Sequence, residues 1–342
     1  MKILVTGGCG FIGSHTVISL IEEGFDPIII DNFSNSERFI HQQLEKITNS
    51  KIVLHEGDCS NLNFLNQVFK NHPDLKGIIH FAAYKSVPES VIDPLKYYIA
   101  NINSLCYVLL ASHHHGVNNL IFSSSCTVYG IPDQLPVTEE TPTKPANSPY
   151  GNTKKICEDI IFDFSAVNPY RAYILRYFNP IGAHPSGLIG ELPIGVPGNL
   201  VPFITQTAIG KREKLVIFGK DYQTKDGTNI RDFIDICDLA HAHVIALKHL
   251  INSKKESHVD IFNIGTGQGH SVQEVVDTFE KVNQIKLKYE YGLRRPGDVE
   301  AIYANVNKAK KILGWKAKTS LEESLRNAWR WEKNLRSFTY TK

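Results

Sequence analysis

Apolar-rich runs of five to nine residues alternate with longer mixed stretches through the first half of the chain. KILVTG (2–7), PIIID (27–31), KIVLHEG (51–57), GIIHFAA (77–83), NLIFSSS (119–125) and RAYILRYFN (171–179) read as strands. Between them, GSHTVISLIEEG (13–24) and the segments around 94–116 and 150–167 read as helices. Strands that are apolar on both faces and separated by helices predict a parallel sheet covered on both sides. The predicted fold is therefore doubly wound α/β, Rossmann-like. After Asn179 the rhythm changes to a long Pro/Gly-rich passage (180–202), then shorter strands and the helices 270–282 and 320–335. We expect a first domain over 1–178 and a smaller C-terminal α/β domain over 179–342, whose long loops carry binding functions.

Composition narrows the class. A net charge of +2 over 342 residues, with no strongly basic segment, does not favour nucleic acid as a partner. The opening apolar run is too short for a secretory core or a membrane span. Six scattered cysteines without a Cys-x-x-Cys read as reduced thiols of a cytoplasmic protein. The histidine run 113–115 precedes Gly116 at the end of a helical pattern and reads as a solvated helix terminus, so no metal site is expected.

Chemistry concentrates in two places. TGGCGFIGSH (6–15) joins the first strand to the first helix and carries Gly7, Gly10 and Gly13 at the spacing that lets backbone approach a pyrophosphate at a helix N-terminus. Asp31 ends the second strand, where a carboxylate accepts from ribose hydroxyls and repels a 2′-phosphate; NAD is expected over NADP. Asp58 ends the third strand, within reach of the adenine. The second place is SPYGNTK (148–154), where Tyr150 and Lys154 share a helix face. A free phenol near pKa 10 is a poor base. A neighbouring ammonium and a positive nicotinamide ring are expected to favour phenolate, with Ser125 completing a relay to a substrate hydroxyl. The chemistry that follows is alcohol oxidation.

These features resemble the extended short-chain dehydrogenase/reductase superfamily. Within it SSSCTVYG, SPYG, LRYFNPIGAHPSG, PGNLVP, DGTNIRDFIDICDLA and RRPGD are similar to the UDP-galactose (UDP-glucose) 4-epimerase family, from Lys2 to about Trp331. The resemblance implies an isomerase that oxidises the sugar at C4, turns the 4-keto intermediate and reduces it again, with Tyr150, Lys154 and Ser125 catalytic. It implies cofactor contacts from Gly7, Gly10, Phe11, Ile12, Gly13, Asp31, Asn32, Ser36, Asp58, Cys59, Phe81, Ala82, Ala83, Lys85, Asn101, Ser123, Tyr150, Lys154 and Tyr177. Substrate contacts follow from Lys85, Ser125, Tyr150, Tyr177, Phe178, Asn179, Asn199, Leu200, Val216, Phe218, Arg231, Arg295, Asp298 and Ile302. Arg231 and Arg295 suit a diphosphate, and Asn199 precedes a predicted helix start that favours anions. A homodimer through the helices near 94–116 and 150–167 is also implied.

Departures from the family pattern are Cys126 for alanine, Asn152 for lysine, Ala83 for glycine, Ala100 for asparagine and Phe233 for tyrosine. Ile302 borders the hexose, and its middling size leaves room for a 2-N-acetyl group, so UDP-N-acetylhexosamines are an alternative substrate pair. A 4,6-dehydratase wants an Asp-Glu pair where Cys126-Thr127 stands. A fucose-synthase-like enzyme wants a Cys and a His, which Cys126 and His184 could mimic. A non-catalytic NAD-binding regulator has no need of the Tyr-Lys pair.

Overall fold

The computed structural model describes residues 1–295, 297–335 and 338; Pro296 of the RRPGD motif lies outside the described residues. The first layer runs β1 (Lys2–Thr6), α1 (Phe11–Glu22), β2 (Asp26–Asp31), α2 (Phe39–Thr48), β3 (Val53–Glu56), α3 (Leu62–Asn71), β4 (Leu75–His80), α4 (Val87–Ile92), α5 (Pro94–His114), β5 (Asn119–Ser125), α6 (Pro149–Val167) and β6 (Arg171–Tyr177). Beyond it come β7 (Asn179–Ile181), α7 (Leu200–Ala208), β8 (Leu215–Phe218), β9 (Ile230–Arg231), β10 (Phe233–Asp235), α8 (Ile236–Ile251), β11 (His258–Ile264), β12 (His270–Ser271), α9 (Val272–Asn283), β13 (Tyr289–Gly292), β14 (Ala301–Ile302) and α10 (Leu321–Leu335).

Seven strands form one parallel sheet in the order β11-β6-β5-β4-β1-β2-β3. The inner strands are apolar on both faces because helices cover both: β5 is buried along its whole length. One apolar layer gathers Ile3, Val5, Leu20, Ile79 and Leu247 with α1 and α8; the other gathers Leu4, Ile28, Leu105, Val108 and Ile161 with α3, α5 and α6. Strand order reverses between β1 and β4, and the crevice outside the carboxyl ends of the strands there is where such sheets bind ligands.

A boundary at 179 does not divide the chain into two contiguous halves. The seventh strand, β11, pairs with β6 over seven residues, and α8 packs on α1. Residues 236–264 thus return to the first layer, because the open edge of β6 and the apolar face of the sheet need covering. The rest of the C-terminal chain forms three small sheets around a separate core of Val201, Ile204, Val275, Phe279 and Leu325. Among the described residues no helix is long and apolar enough to cross a membrane.

Candidate active site

A cleft of about 1360 Å³ opens between the strand ends and the C-terminal elements. That exceeds the space one drug-sized molecule fills, roughly 300–1,000 Å³. Its floor is the glycine turn after β1. Gly7 has φ +70, and a Cβ on Gly13 would lie 2.1 Å from the Gly7 carbonyl, so α1 can pass against the turn only without a side chain. Gly10 caps α1 with no side-chain hydrogen bond, and Phe11, Ile12 and Gly13 line the cleft in the first helical turn. The amides of that turn are the part of the helix that favours an anion.

The adenosine end is rigid. Asp31 accepts from the amides of Cys9 (2.9 Å) and Phe33 (2.9 Å) and from the Ser36 hydroxyl (2.8 Å). Three of about four carboxylate sites are used, which leaves one for a ribose hydroxyl. Asn32 donates to Asp58 at 2.8 Å, and Cys59 beside it is buried, its thiol pushed up by desolvation. From β4, Phe81, Ala82, Ala83 and Lys85 form the opposite wall. Thr6 holds this wall: its hydroxyl meets His80 Nδ1 at 2.7 Å and accepts from the Ala82 amide at 3.3 Å. Burial lowers His80 to about 3, so its imidazole is neutral. The glycine cradle, open helix end and anchored carboxylate fit a dinucleotide.

The candidate catalytic corner is built at the start of α6. Ser148 accepts from the Gly151 amide at 3.2 Å and Pro149 occupies the first turn, so the helix begins just before Tyr150. Tyr150 and Lys154 then share the buried face. Tyr150 and Ser125 line the same corner of the cleft. Lys154 Nζ donates to the Ser123 carbonyl at 2.7 Å and lies 5.9 Å from the Tyr150 ring centroid. Ser123 Oγ is hydrogen-bonded to the Tyr177 hydroxyl. Burial lowers Lys154 to about 8.

Here the structure corrects the expected acidity of the phenol. Burial pushes Tyr150 up, the nearby Tyr177 adds to this, and only Ser125 acts the other way. The Lys154 ammonium is directed at a backbone carbonyl, so the protein alone keeps the phenol protonated.

The substrate side brings together Tyr177, Phe178 and Asn179 after β6, Asn199 and Leu200 at the start of α7, Val216 and Phe218 on β8, Arg231, Arg295, Asp298 and Ile302. Arg231 lies 3.6 Å from Asp298, which Asn229 also reaches at 3.4 Å. The Arg295 guanidinium sits 4.6 Å from the Phe218 ring centroid. Cys126, Phe178 and Ile302 share one apolar cluster.

Nearly every expected site residue lines this cleft. Asn101 does not. Its amide exchanges bonds with the Tyr84 backbone (2.8 and 3.0 Å) and donates to Thr153 (3.1 Å), so it is a strut between the Lys85 loop and α6. The sequence reading missed Thr127, whose buried hydroxyl has no partner, and Glu191, which meets both walls. Thr127, two positions beyond Ser125, was open to being read; nothing local marks Glu191. Cys126 and His184 are not brought together: Cys126 lines the cleft with its thiol pushed up to about 12 by burial, while His184 bonds Ser186 and faces His15 outside it.

A doubly wound sheet, a glycine turn at its switch point, a Ser-Tyr-Lys corner and an arginine-lined second wall define an extended short-chain dehydrogenase/reductase. The family model described as GDP-mannose 4,6 dehydratase matches residues 4–328. A UDP-glucose 4-epimerase of Dictyostelium discoideum is 48% identical over 332 residues, 97% of this chain and 95% of the relative. One from Bacillus subtilis is 45% identical, covering 97% of both chains. The crystal structure of the Bifidobacterium longum UDP-glucose 4-epimerase, in complex with NAD+ and UDP, superimposes with a TM-score of 0.94 at 41% identity, over 99% of this chain and 100% of that one. The chain belongs to the UDP-glucose 4-epimerase family.

Proposed function

We propose that this protein interconverts UDP-galactose and UDP-glucose at C4, with a resident NAD and Tyr150 as the base. The observation that carries the reading is the placement of Ser125, Tyr150 and Lys154 together in the cleft between the glycine turn and the arginine wall. When bound, NAD would supply a hydride acceptor in its oxidised, positively charged form and a hydride donor in its reduced form. Burial keeps Tyr150 protonated in the free protein, so a base there needs positive charge next to it. Lys154 provides a fixed ammonium on that side. Ser125 carries the substrate proton between the sugar hydroxyl and the phenol. Asp31 favours NAD over its 2′-phosphorylated form.

The same sugar must bind in two orientations, so affinity has to come from the nucleotide rather than the hexose. Arg231, Arg295 and Asn199 suit the diphosphate, Asp298 the uridine ribose and Phe218 the uracil. The hexose end is walled by Phe178, Cys126 and Ile302. The isoleucine supports a second reading, in which UDP-N-acetylhexosamines are also turned over.

Exposed Ile92, Leu95 and Ile99 on α4 and α5 and half-exposed Phe162 on α6 support a homodimer through these helices. Six free cysteines support a cytoplasmic location.

The test is proton NMR of the anomeric signals with UDP-galactose and no added NAD. UDP-glucose is expected to appear, and Tyr150→Phe should lose at least about 10²-fold in turnover, the scale of a general base. Unchanged turnover in that variant sinks the proposed role of the tyrosine. UDP-GlcNAc in the same assay decides the second substrate pair.

A further inference from the structure

Asn199 is the N-cap of α7, and asparagine in that place ordinarily caps its own helix. Here it makes no side-chain cap bond. Its Nδ2 donates instead to Glu191 Oε1 at 2.6 Å. The same oxygen accepts from Lys85 Nζ at 3.2 Å. Lys85 comes from the loop after β4 and also lies 5.8 Å from the Phe11 ring centroid, beside the glycine turn. One carboxylate oxygen thus ties the cofactor wall to the substrate wall.

Two consequences follow for anions. With Asn199 turned away, the first-turn amides of Leu200 and Val201 stay open, while Pro202 brings none. Glu191 is itself well fixed: its side chain is only 9% exposed, and its carbonyl accepts from Trp331 Nε1 at 3.0 Å. A flexible lysine held by a fixed carboxylate loses less freedom on meeting a phosphate.

We propose that Glu191 is a positioning residue, which sets Lys85 and Asn199 for the diphosphate of the UDP-sugar and keeps the α7 N-terminus uncapped for it. This rests on reading the cleft as a UDP-sugar site. A carboxylate beside an anion site could merely repel the anion, and its removal would then tighten binding.

The experiment uses the holoenzyme, with UDP alone as the calorimetric probe and UDP-galactose for kinetics. Glu191→Ala is expected to weaken UDP and raise KM for UDP-galactose about 10-fold or more, the scale of one charge-assisted hydrogen bond. Uniform binding is what is lost, so kcat should stay within about 3-fold. Glu191→Gln keeps an acceptor for Asn199 but not the charge for Lys85, and should fall between Ala and wild type. The Lys85→Ala and Glu191→Ala effects should not multiply, because they share one contact. The proposal is overturned if either Glu191 variant binds UDP as tightly as wild type or tighter, or if kcat falls with KM unmoved. Wild type failing to bind UDP overturns the site reading itself, which is a different result.

Discussion

Lys154 offers the most direct link between stability and the proposed chemistry. It is buried, its ammonium meets one backbone carbonyl, and desolvation lowers it from 10.5 to about 8. At 1.36 kcal/mol per tenfold change in proton affinity, keeping it charged at neutral pH costs the fold about 3 kcal/mol. The unfolded chain holds this proton up to pH 10.5, the folded chain only to about 8. Between those values the unfolded state binds more protons, so stability rises with pH. Lys154→Met removes the charge and keeps much of the volume. In nucleotide-free protein, urea unfolding followed by circular dichroism should find the variant more stable than wild type by up to about 3 kcal/mol at pH 7.5. The gap should close toward pH 10.5, while epimerisation is lost at every pH. A variant that is less stable at pH 7.5, or a gap that does not change with pH, refutes the argument.

Two more expectations follow from the geometry. Gly13→Ala places a Cβ 2.1 Å from the Gly7 carbonyl, so the turn must open; the purified variant should carry little nucleotide by absorbance after acid release. His15, His80 and His243 are buried and lowered by desolvation to about 3, 3 and 4, so they are neutral when folded and take up protons on unfolding below pH 6.5. Their contribution is therefore present above 6.5 and lost as pH falls, about 2 kcal/mol each by pH 5, with Asp235, raised to about 6, opposing by about 1 kcal/mol. Urea midpoints at pH 7.5 and 5 measure this, and His80→Asn should remove about a third of the histidine fall.

What was legible in the chain was whatever local chemistry writes. The apolar runs gave the strands, and the glycines gave the turn after β1, because each of these is decided within a few residues. The return of β11 to the sheet has no such mark: HVDIFNI pairs with β6 across more than eighty residues of intervening chain. Asn101 was expected in the site from the family resemblance, whereas an amide's function depends on what packs against it. The phenol was expected to acidify because its lysine is visible four residues on. Burial, which decides the sign, is a property of the assembled fold.

That assembled fold also explains why so many polar groups are buried behind the candidate catalytic corner. Glu158 lies one turn beyond Lys154 and meets Arg176 of β6 at 3.0 and 2.6 Å, as well as the Ser124 hydroxyl of β5. Arg176 sits 4.9 Å from the Tyr129 ring centroid, and Tyr129 donates at 2.7 Å to Asn263 of β11. A buried ion pair is weak evidence for stability, since desolvation offsets the attraction. Its directional bonds fix something apolar packing does not: how far α6 is slid and turned against β5 and β6. Tyr150, Lys154 and Glu158 are spaced four apart on one face, so a single anchor at Glu158 sets the other two. Lys154 then meets Ser123, Tyr150 lines the cleft beside Ser125, and Ser124 holds the anchor. On this argument β11 closes more than a sheet edge. By carrying Asn263 to Tyr129 it completes the chain of bonds that holds the phenol in place.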